Sequence, residues 1–198
     1  MCNLYKMTAA VEAIRRLVGS FEGDRSNLPL FNEIYPGKQA PVLRKENGSL
    51  TLDVMTWGFP GPAAAKGRPV TNVRNLSSPF WRSALEHPER RCIVPVTAFC
   101  EWTAEPDPNT GRKRKVWFGM RESEPDLFAF AGIWRPGESE KFMAFLTCEP
   151  NETVKAVHPK AMPVMLDLAD IPRWLDSPRV DACELAKPFD DARMRVLA

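Results

Sequence analysis

Apolar residues occur at two spacings along the chain, one typical of helices and one typical of strands. The segment VEAIRRLV carries apolar side chains at helical spacing, which predicts a helix that begins after Thr8 and ends at Gly19. Leu50, Leu52 and Val54 alternate with polar residues, as in a half-buried strand. Longer apolar runs predict further strands, and these are RRCIVPVTAFCEW, KVWFGM, LFAFAGIW, KFMAFLTC and AMPVMLD. Short helices are predicted at PFWRSALEH and around Trp174 and Leu185.

Proline and glycine interrupt these elements. The chain has 19 prolines, roughly twice average usage, which favours rigid turns and short elements. The segments FEGDRSNLPLFNEIYPGKQAP and GFPGPAAAKGRPV predict loops, and GRKRK predicts a hairpin tip. No repeat, low-complexity tract or clear linker divides the chain. We therefore predict a single α+β domain over residues 1–198, with a curved, mainly antiparallel β-sheet or open barrel as its core and helices at its periphery.

The overall composition is that of an ordinary soluble globular protein, with 44% hydrophobic and 26% charged residues. A formal net charge of only +2 means that nucleic-acid binding would need a local basic patch. No apolar run approaches the roughly 18 residues of a membrane span, and the start lacks a secretory signal pattern. The five cysteines include no CxxC pair, so we expect reduced thiols in a cytoplasmic protein without a membrane partner.

Familiar catalytic and cofactor motifs are absent from the sequence. There is no GxSxG elbow, no P-loop, no GxGxxG after a strand and no HExxH helix. Two histidines and scattered cysteines also do not match the ligand spacing of a zinc site. We therefore expect no metal and no cofactor, and chemistry that is carried by the side chains and the terminus of the chain itself.

The second residue, Cys2, is the first candidate for such chemistry. Aminopeptidases remove Met1 when a small residue follows, so the mature chain is expected to begin at Cys2. A terminal cysteine carries an α-amine and a thiol on adjacent carbons. The amine can form a Schiff base with an aldehyde, and the thiol can then close a five-membered thiazolidine on the same carbon. The alternative is that a cysteine at this position has no chemical role.

Other polar residues interrupt apolar segments. Glu101 follows the run IVPVTAFC, and burial there would raise its pKa toward the range useful for a general acid, unless it forms a salt bridge to an arginine. His158 lies between an apolar helix end and an apolar strand in AVHPKAMPVML, where a hydrogen-bonded core histidine is the commoner explanation. Asn72 and Arg74, in TNVRN, suit either turn hydrogen bonds or the binding of a phosphate or sugar.

Basic and aromatic residues cluster in one third of the chain. Such a mixture suits a groove for single-stranded nucleic acid, in which charges follow the backbone and rings stack on bases. A solvated surface with inward-facing aromatic residues is the alternative. The members of the cluster are Lys66, Arg68, Arg74, Arg82, Arg90 and Arg91, with Trp57, Phe59, Phe80 and Trp81.

Separated segments of the chain together resemble one family. Cys2, TNVRN, VPVTAFCEW and FLTCEPNETVKAVHPKAMPVML occur in the order found in the SOS-response-associated peptidase (SRAP) family, and MTWGF and NEIYPGKQAPV add to the similarity. The resemblance covers nearly the whole chain. It implies a DNA-repair protein that crosslinks covalently to abasic sites in single-stranded DNA, including sites at single-strand/double-strand junctions.

The resemblance also implies a role for each matching residue. Cys2 would form a thiazolidine with the ring-opened sugar, with thiolate character promoted by nearby positive groups. Asn72 would position the amine or the sugar, Glu101 would shuttle the proton that opens the sugar ring, and His158 would stabilise the intermediate. Contacts with DNA are expected from Arg74, Thr147, Lys160, Arg82 and Trp57.

The sequence departs from the family pattern at three places. Asn3 and Leu4 replace the Gly-Arg of many members, HPKAMP replaces H-x-R-M-P, and AAAKGR replaces an aromatic loop, which puts base stacking by that loop in doubt. A bacterial branch with an MCNLY-like start accounts for the first two departures. None of the departures touches Cys2, Asn72 or the other two central positions.

The family name leaves two alternatives open. Cys2 could serve a thiol autopeptidase or amidohydrolase, in which the α-amine acts as the base. The protein could also be a single-stranded DNA-binding module without covalent chemistry. Crosslinking is the preferred hypothesis, and it implies an enzyme of lyase-like or autopeptidase class. We expect this enzyme to be a monomer. We expect it in the cytoplasm, associated with the nucleoid when it is bound to DNA.

Overall fold

The computed structural model describes residues 2–23, 28–62 and 67–197. Met1 and Lys66, which the sequence analysis singles out, lie outside the described residues. The strands are β1 (Tyr5–Met7), β2 (Phe31–Ile34), β3 (Gln39–Glu46), β4 (Ser49–Trp57), β5 (Asn72–Val73), β6 (Arg91–Val96), β7 (Ala98–Trp102), β8 (Lys115–Met120), β9 (Phe128–Pro136), β10 (Lys141–Cys148), β11 (Met162–Pro163), β12 (Met165–Leu166) and β13 (Met194–Leu197). The helices are α1 (Val11–Val18), α2 (Pro79–Glu86), α3 (Glu152–Lys155), α4 (Asp170–Asp176) and α5 (Arg179–Cys183).

Five strands form a closed ring. β4 pairs with β3, β3 with β6, β6 with β9 and β9 with β10, and β10 returns to β4. These pairings are antiparallel except for the short parallel contact between β10 and β4. β5 continues that parallel edge, with Asn72 opposite Phe145 of β10. The predicted α+β fold with a curved, mainly antiparallel sheet is confirmed, and the barrel is closed rather than open.

A second sheet, in the order β13-β8-β7-β1-β2, lies against the ring. The run RRCIVPVTAFCEW, predicted as one strand, supplies β6 to the ring and β7 to the second sheet. The chain changes sheets at Thr97, whose N–H donates to the Lys6 carbonyl at 2.9 Å. Thr97 Oγ1 accepts from the N–H of Thr8 at 3.2 Å, and α1 begins later than predicted, with Ala10 as its N-cap. The single-strand prediction is wrong because an apolar run does not reveal a change of pairing partner.

Two more segments differ from their predictions for a similar reason. β2 and the beginning of β3 lie within the predicted loop 21–41. β2 is an edge strand on β1 with two exposed residues in its middle, so it shows no apolar alternation. The predicted strand AMPVMLD is divided, since β11 pairs with β10 and β12 pairs with β9.

Aromatic side chains fill the space between the ring and the second sheet. Trp57 stacks on Phe145 with ring centroids 5.1 Å apart, and Tyr5 meets Trp57 edge-on at 5.1 Å. Phe99 of the second sheet meets Phe130 of the ring at 5.9 Å. These contacts join the sheets, and they hold β1 and the residues before it against the ring.

The larger helices outside the ring are fixed by specific contacts. α2 packs near β9, α4 packs near β6, and Ser78 caps α2 by accepting from the N–H of Phe80. The fully buried Arg91 of β6 donates to the carbonyls of Leu85 in α2 and Trp174 in α4. Arg91 is therefore a structural residue and not part of a basic surface. Among the described residues, no helix has the length and apolar character needed to cross a membrane.

Candidate active site

Cys2 lies just before β1 and is fully buried. This segment is fastened to β7, because the N–H of Cys100 donates to the Leu4 carbonyl at 2.9 Å. The Cys2 Sγ lies 3.5 Å from the carbonyl oxygen of Leu4 and 3.9 Å from that of Cys100. The thiol is therefore held in a defined place where the second sheet meets the ring.

Asn72 reaches Cys2 from the ring, since β5 places it beside β10. Its Nδ2 donates to the Cys2 carbonyl at 2.9 Å and to the Thr71 hydroxyl at 2.8 Å. Its Oδ1 is buried and, among the described residues, has no hydrogen-bond partner. A buried amide oxygen is seldom left without a donor. This one is suited to accept from the Cys2 α-amine or from a sugar hydroxyl.

Glu101 lies on β7 with 1% of its surface exposed. Its Oε2 is 3.8 Å from His158 Nδ1, and its Oε1 has no hydrogen-bond partner in the described part of the chain. The alternative prediction was a salt bridge from Glu101 to an arginine. The ionisable group at ion-pair distance from Glu101 is instead the imidazole of His158. Burial raises the Glu101 pKa from 4.5 to about 7. Both protonation states are therefore populated near neutral pH, as a proton shuttle requires.

His158 lies shortly after α3, and its N–H donates to the Val154 carbonyl at 2.8 Å. Its side chain is 17% exposed. Burial lowers the His158 pKa and the positive charge of Lys160 lowers it further, while a hydrogen bond with the backbone of Trp102 acts in the opposite direction. The imidazole is therefore neutral at pH 7, and its Nδ1 lies beside the Glu101 carboxyl group at 3.8 Å, outside direct hydrogen-bond distance.

The Cys2 thiol differs from the expectation of the sequence analysis. Burial raises the pKa of the thiol well above its ordinary value, and the charge of Glu101 raises it further. The thiol is therefore protonated at neutral pH, and the expected thiolate character is not supported, because burial beside a carboxylate outweighs the nearby positive charge. Attack by sulfur needs a base to remove its proton, and Glu101 is the neighbouring group that can do so.

Two buried hydroxyls without partners lie on the strands that carry this site. Thr147 of β10, two residues beyond Phe145, is 2% exposed, and Tyr5 of β1 is fully buried. Neither hydroxyl has a hydrogen-bond partner within the described ranges. Burial raises the Tyr5 pKa, and the Cys2 thiol raises it further. Thr147 was among the predicted residues. Tyr5 was missed, because its position within MCNLY was its single distinguishing signal.

The predicted DNA-contacting residues have different exposures. Arg82 on α2 and Lys160 are exposed, and Arg74 directly after β5 has 36% of its side chain exposed. Trp57 is fully buried and stacked on Phe145. A ring in this position belongs to the core and cannot stack on a base, so the prediction for Trp57 is not supported by its environment.

Comparisons with known proteins identify the family of the chain. The whole chain, residues 1–198, matches the family described as SOS response associated peptidase (SRAP). Two curated relatives, from Bacillus subtilis (strain 168) and Bacillus phage SPbeta, are each named abasic site processing protein YoqW. Each is 28% identical over 176 residues, which cover 82% of this chain and 75% of the relative.

Solved structures share the fold. A protein from Bacteroides thetaiotaomicron aligns with a TM-score of 0.80 and 22% identity, over 100% of this chain and 92% of its own. A protein from Bordetella bronchiseptica aligns with a TM-score of 0.77 and 19% identity, over 100% of both chains. Identities this low establish the fold alone, whereas the family match extends over every residue. The resemblance inferred from the motifs is confirmed, and the chain belongs to the SOS response associated peptidase family.

Proposed function

We propose that this protein processes abasic sites in single-stranded DNA by forming a covalent crosslink through Cys2. The observation that carries the proposal is the convergence on Cys2 of Asn72 and Glu101, each with a buried oxygen that has no partner among the described residues. The name of the two curated relatives, abasic site processing protein, supports the class of substrate.

The first step makes a carbon–nitrogen bond. An abasic deoxyribose interconverts between a closed hemiacetal and an open aldehyde, and Glu101 donates the proton that assists ring opening. After removal of Met1, the Cys2 α-amine attacks the aldehyde carbon, and loss of water gives a Schiff base. An α-amine has an ordinary pKa of about 7.7–8.0, which leaves a neutral fraction at pH 7. The Asn72 Oδ1 orients the amine by accepting one of its hydrogens.

The second step closes the ring. The Cys2 sulfur adds to the carbon of the protonated Schiff base, and the π electrons of the C=N bond move to nitrogen, which becomes a neutral amine. The thiol proton passes to the Glu101 carboxylate, which lost its own proton in the first step. The product is a five-membered thiazolidine. A carboxyl group with a pKa of about 7 can give a proton in the first step and take one in the second. Neutral His158, 3.8 Å away, stabilises the protonated carboxyl group or relays its proton.

Binding of the DNA strand precedes this chemistry. Arg74 lies two residues after Asn72 in the sequence, and we assign it to the phosphate beside the lesion. The exposed Arg82 and Lys160 supply further phosphate contacts. With a net charge of only +2, affinity depends on these local cations, and it falls as salt concentration rises.

The test is covalent capture of an oligonucleotide that carries one abasic site. The protein is incubated with the single-stranded oligonucleotide and resolved on a denaturing gel. We expect an adduct with the wild type, none with Cys2→Ala, and an undiminished adduct with Cys183→Ala, which removes a half-buried thiol of α5. Reducing the abasic aldehyde to the alcohol beforehand should abolish the adduct.

Other outcomes support the alternatives. An adduct that persists in Cys2→Ala contradicts the assignment of Cys2. Salt-sensitive binding of intact DNA without any adduct favours a non-covalent binding module. Peptide hydrolysis that is lost in Cys2→Ala, again without an adduct, favours a thiol peptidase.

A further inference from the structure

Beside the site, the cation assigned to DNA is already occupied by an anion from the chain itself. A guanidinium nitrogen of Arg74, Nη2, donates to Oε1 of Glu149, and the two form an ion pair. The Glu149 side chain is 72% exposed, whereas that of Arg74 is 36% exposed. The carboxylate is thus the more exposed partner of the pair, and it occupies a guanidinium nitrogen that a phosphate would use.

The strand geometry explains this arrangement. β5 and β10 are parallel, with Asn72 opposite Phe145 and Val73 opposite Leu146. Side chains two residues apart in extended chain point to the same side. Arg74 therefore continues the side of β5 that carries Asn72, and Glu149 continues the side of β10 that carries Thr147. The ion pair lies one step beyond the site along the same two strands.

One of the two terminal guanidinium nitrogens of Arg74 does not bond to Glu149. Its Nη1 is buried and has no hydrogen-bond partner in the described part of the chain. Glu149 therefore engages only part of a guanidinium that can bind an oxyanion with two parallel hydrogen bonds. A phosphate that displaced Glu149 could use both nitrogens.

We infer that Glu149 is an internal competitor of the DNA phosphate for Arg74, and that it sets the affinity and salt dependence of strand binding. The inference rests on the proposed function, because it takes Arg74 as a phosphate ligand. An exposed ion pair is weak and opens readily. A DNA strand, with its high charge density and its release of counterions, can displace the carboxylate.

The experiment compares two substitutions that remove the same charge. Glu149→Gln keeps the shape and a neutral acceptor for Arg74. Glu152→Gln is the control, three residues farther on, where the 79% exposed side chain pairs with Lys155. Affinity for an intact single-stranded oligonucleotide is measured by fluorescence anisotropy in Cys2→Ala, which separates binding from the covalent step. We expect Glu149→Gln to tighten binding roughly threefold to tenfold, and Glu152→Gln to change it by less than about twofold.

A double-mutant cycle tests whether Glu149 acts through Arg74. In an Arg74→Ala background, the gain from Glu149→Gln should fall to that of Glu152→Gln. Equal gains from the two glutamine variants with Arg74 intact would overturn the inference, as would weaker binding in Glu149→Gln, which would show that Glu149 orients Arg74 for DNA.

The crosslinking assay on the otherwise unchanged protein keeps the two claims apart. If the wild type forms an adduct while Glu149→Gln binds DNA no better than its control, the competitor role alone is wrong. If the wild type forms no adduct, the proposed function is wrong, whatever the binding data show. A Cys2→Ala protein that does not bind single-stranded DNA at all would overturn the competitor role, while the proposed function is still decided by the adduct of the wild type.

Discussion

Two regions of the molecule bury an ionisable side chain almost completely, but they differ in how many of the buried polar groups have hydrogen-bond partners. Around Arg91, every guanidinium nitrogen has a carbonyl partner: Nε and Nη2 donate to Leu85, and Nη1 donates to Trp174 at 3.0 Å and Ser177 at 2.6 Å. These carbonyls belong to residues near the ends of α2 and α4, where a cation is favoured. Arg91 therefore joins two helices to β6, and each of its guanidinium nitrogens has a hydrogen-bond partner.

Around Glu101, several buried polar groups of the described residues lack a hydrogen-bond partner. Within the described residues, one carboxylate oxygen of Glu101 and the amide oxygen of Asn72 have no partner, and neither do the hydroxyls of Thr147 and Tyr5. Each unmet buried group costs free energy on folding. Burial of a polar residue therefore does not itself indicate function in this fold. Incomplete hydrogen bonding around a reactive group does indicate function, because a substrate can supply the missing hydrogen bonds.

The largest expected effect is on catalysis at Glu101. Glu101→Gln keeps the size of the side chain but removes the group that exchanges protons, so adduct formation should slow roughly 100-fold or more. Glu105→Gln, on the exposed segment after β7, is the matched control and should react at the wild-type rate. Single-turnover kinetics of adduct formation measure both. A Glu101→Gln variant that reacts as fast as its control would remove the proton-transfer role.

Arg91 should show the opposite pattern. Arg91→Met leaves the carbonyls of Leu85, Trp174 and Ser177 without their donor, and we expect the free energy of unfolding to fall by about 3 kcal/mol. Arg82→Met, an exposed change on α2, should cost less than about 0.5 kcal/mol. Urea denaturation measures both. At a temperature where it is folded, Arg91→Met should still crosslink, and selective loss of crosslinking would show that the two regions are not independent.

The pH dependence of stability sharpens the contrast. Folding raises the Glu101 pKa from 4.5 to about 7. The protonated carboxyl group is therefore favoured in the folded chain, and this stability is fully present below pH 4.5 and is lost as the pH rises through 7. Glu101→Gln does not titrate, so its stability relative to the wild type should increase over this interval by up to about 3 kcal/mol. Urea denaturation at several pH values tests this, and a pH-independent difference would contradict the raised pKa.

The smallest expected effect lies at the surface. Arg82→Ala should weaken binding of single-stranded DNA about twofold to threefold and lower the salt slope by about one, as expected for a single phosphate contact. Arg16→Ala, on the exposed side of α1, is the control and should leave both quantities unchanged. Anisotropy titrations at several salt concentrations measure the difference. Equal effects of the two variants would mean that Arg82 contributes only general charge.

The sequence predicted the elements whose apolar pattern is local. α1, α2 and the strands β4, β8, β9 and β10 follow directly from spacing, and they are confirmed. The division of one run into β6 and β7, the closure of the ring and the edge strand β2 could not be read in this way. Each of these features depends on which distant strand supplies the hydrogen bonds, and residue spacing within one segment carries no information about that.

The candidate site shows the same limit. Cys2, Glu101 and His158 stood out as candidates because reactive residue types lie there in or beside apolar segments, and the order of the motifs then implied a role for each. The protonated state of the Cys2 thiol did not follow from the sequence, since it depends on burial between two sheets. The ion pair of Arg74 with Glu149 was also missed, because the two residues are 75 positions apart and meet through the pairing of β5 with β10.

The chemical structure of the DNA linkage shows whether the Cys2 amine and thiol both bond to the sugar. The adduct is digested with nuclease and protease, and the peptide that carries the sugar remnant is sequenced by mass spectrometry. We predict a peptide that begins at Cys2, bears the ring-opened deoxyribose with the loss of one water, and has a Cys2 thiol that no longer reacts with iodoacetamide. A sugar attached to a lysine side chain, or a Cys2 thiol that is still free in the adduct, would contradict the account.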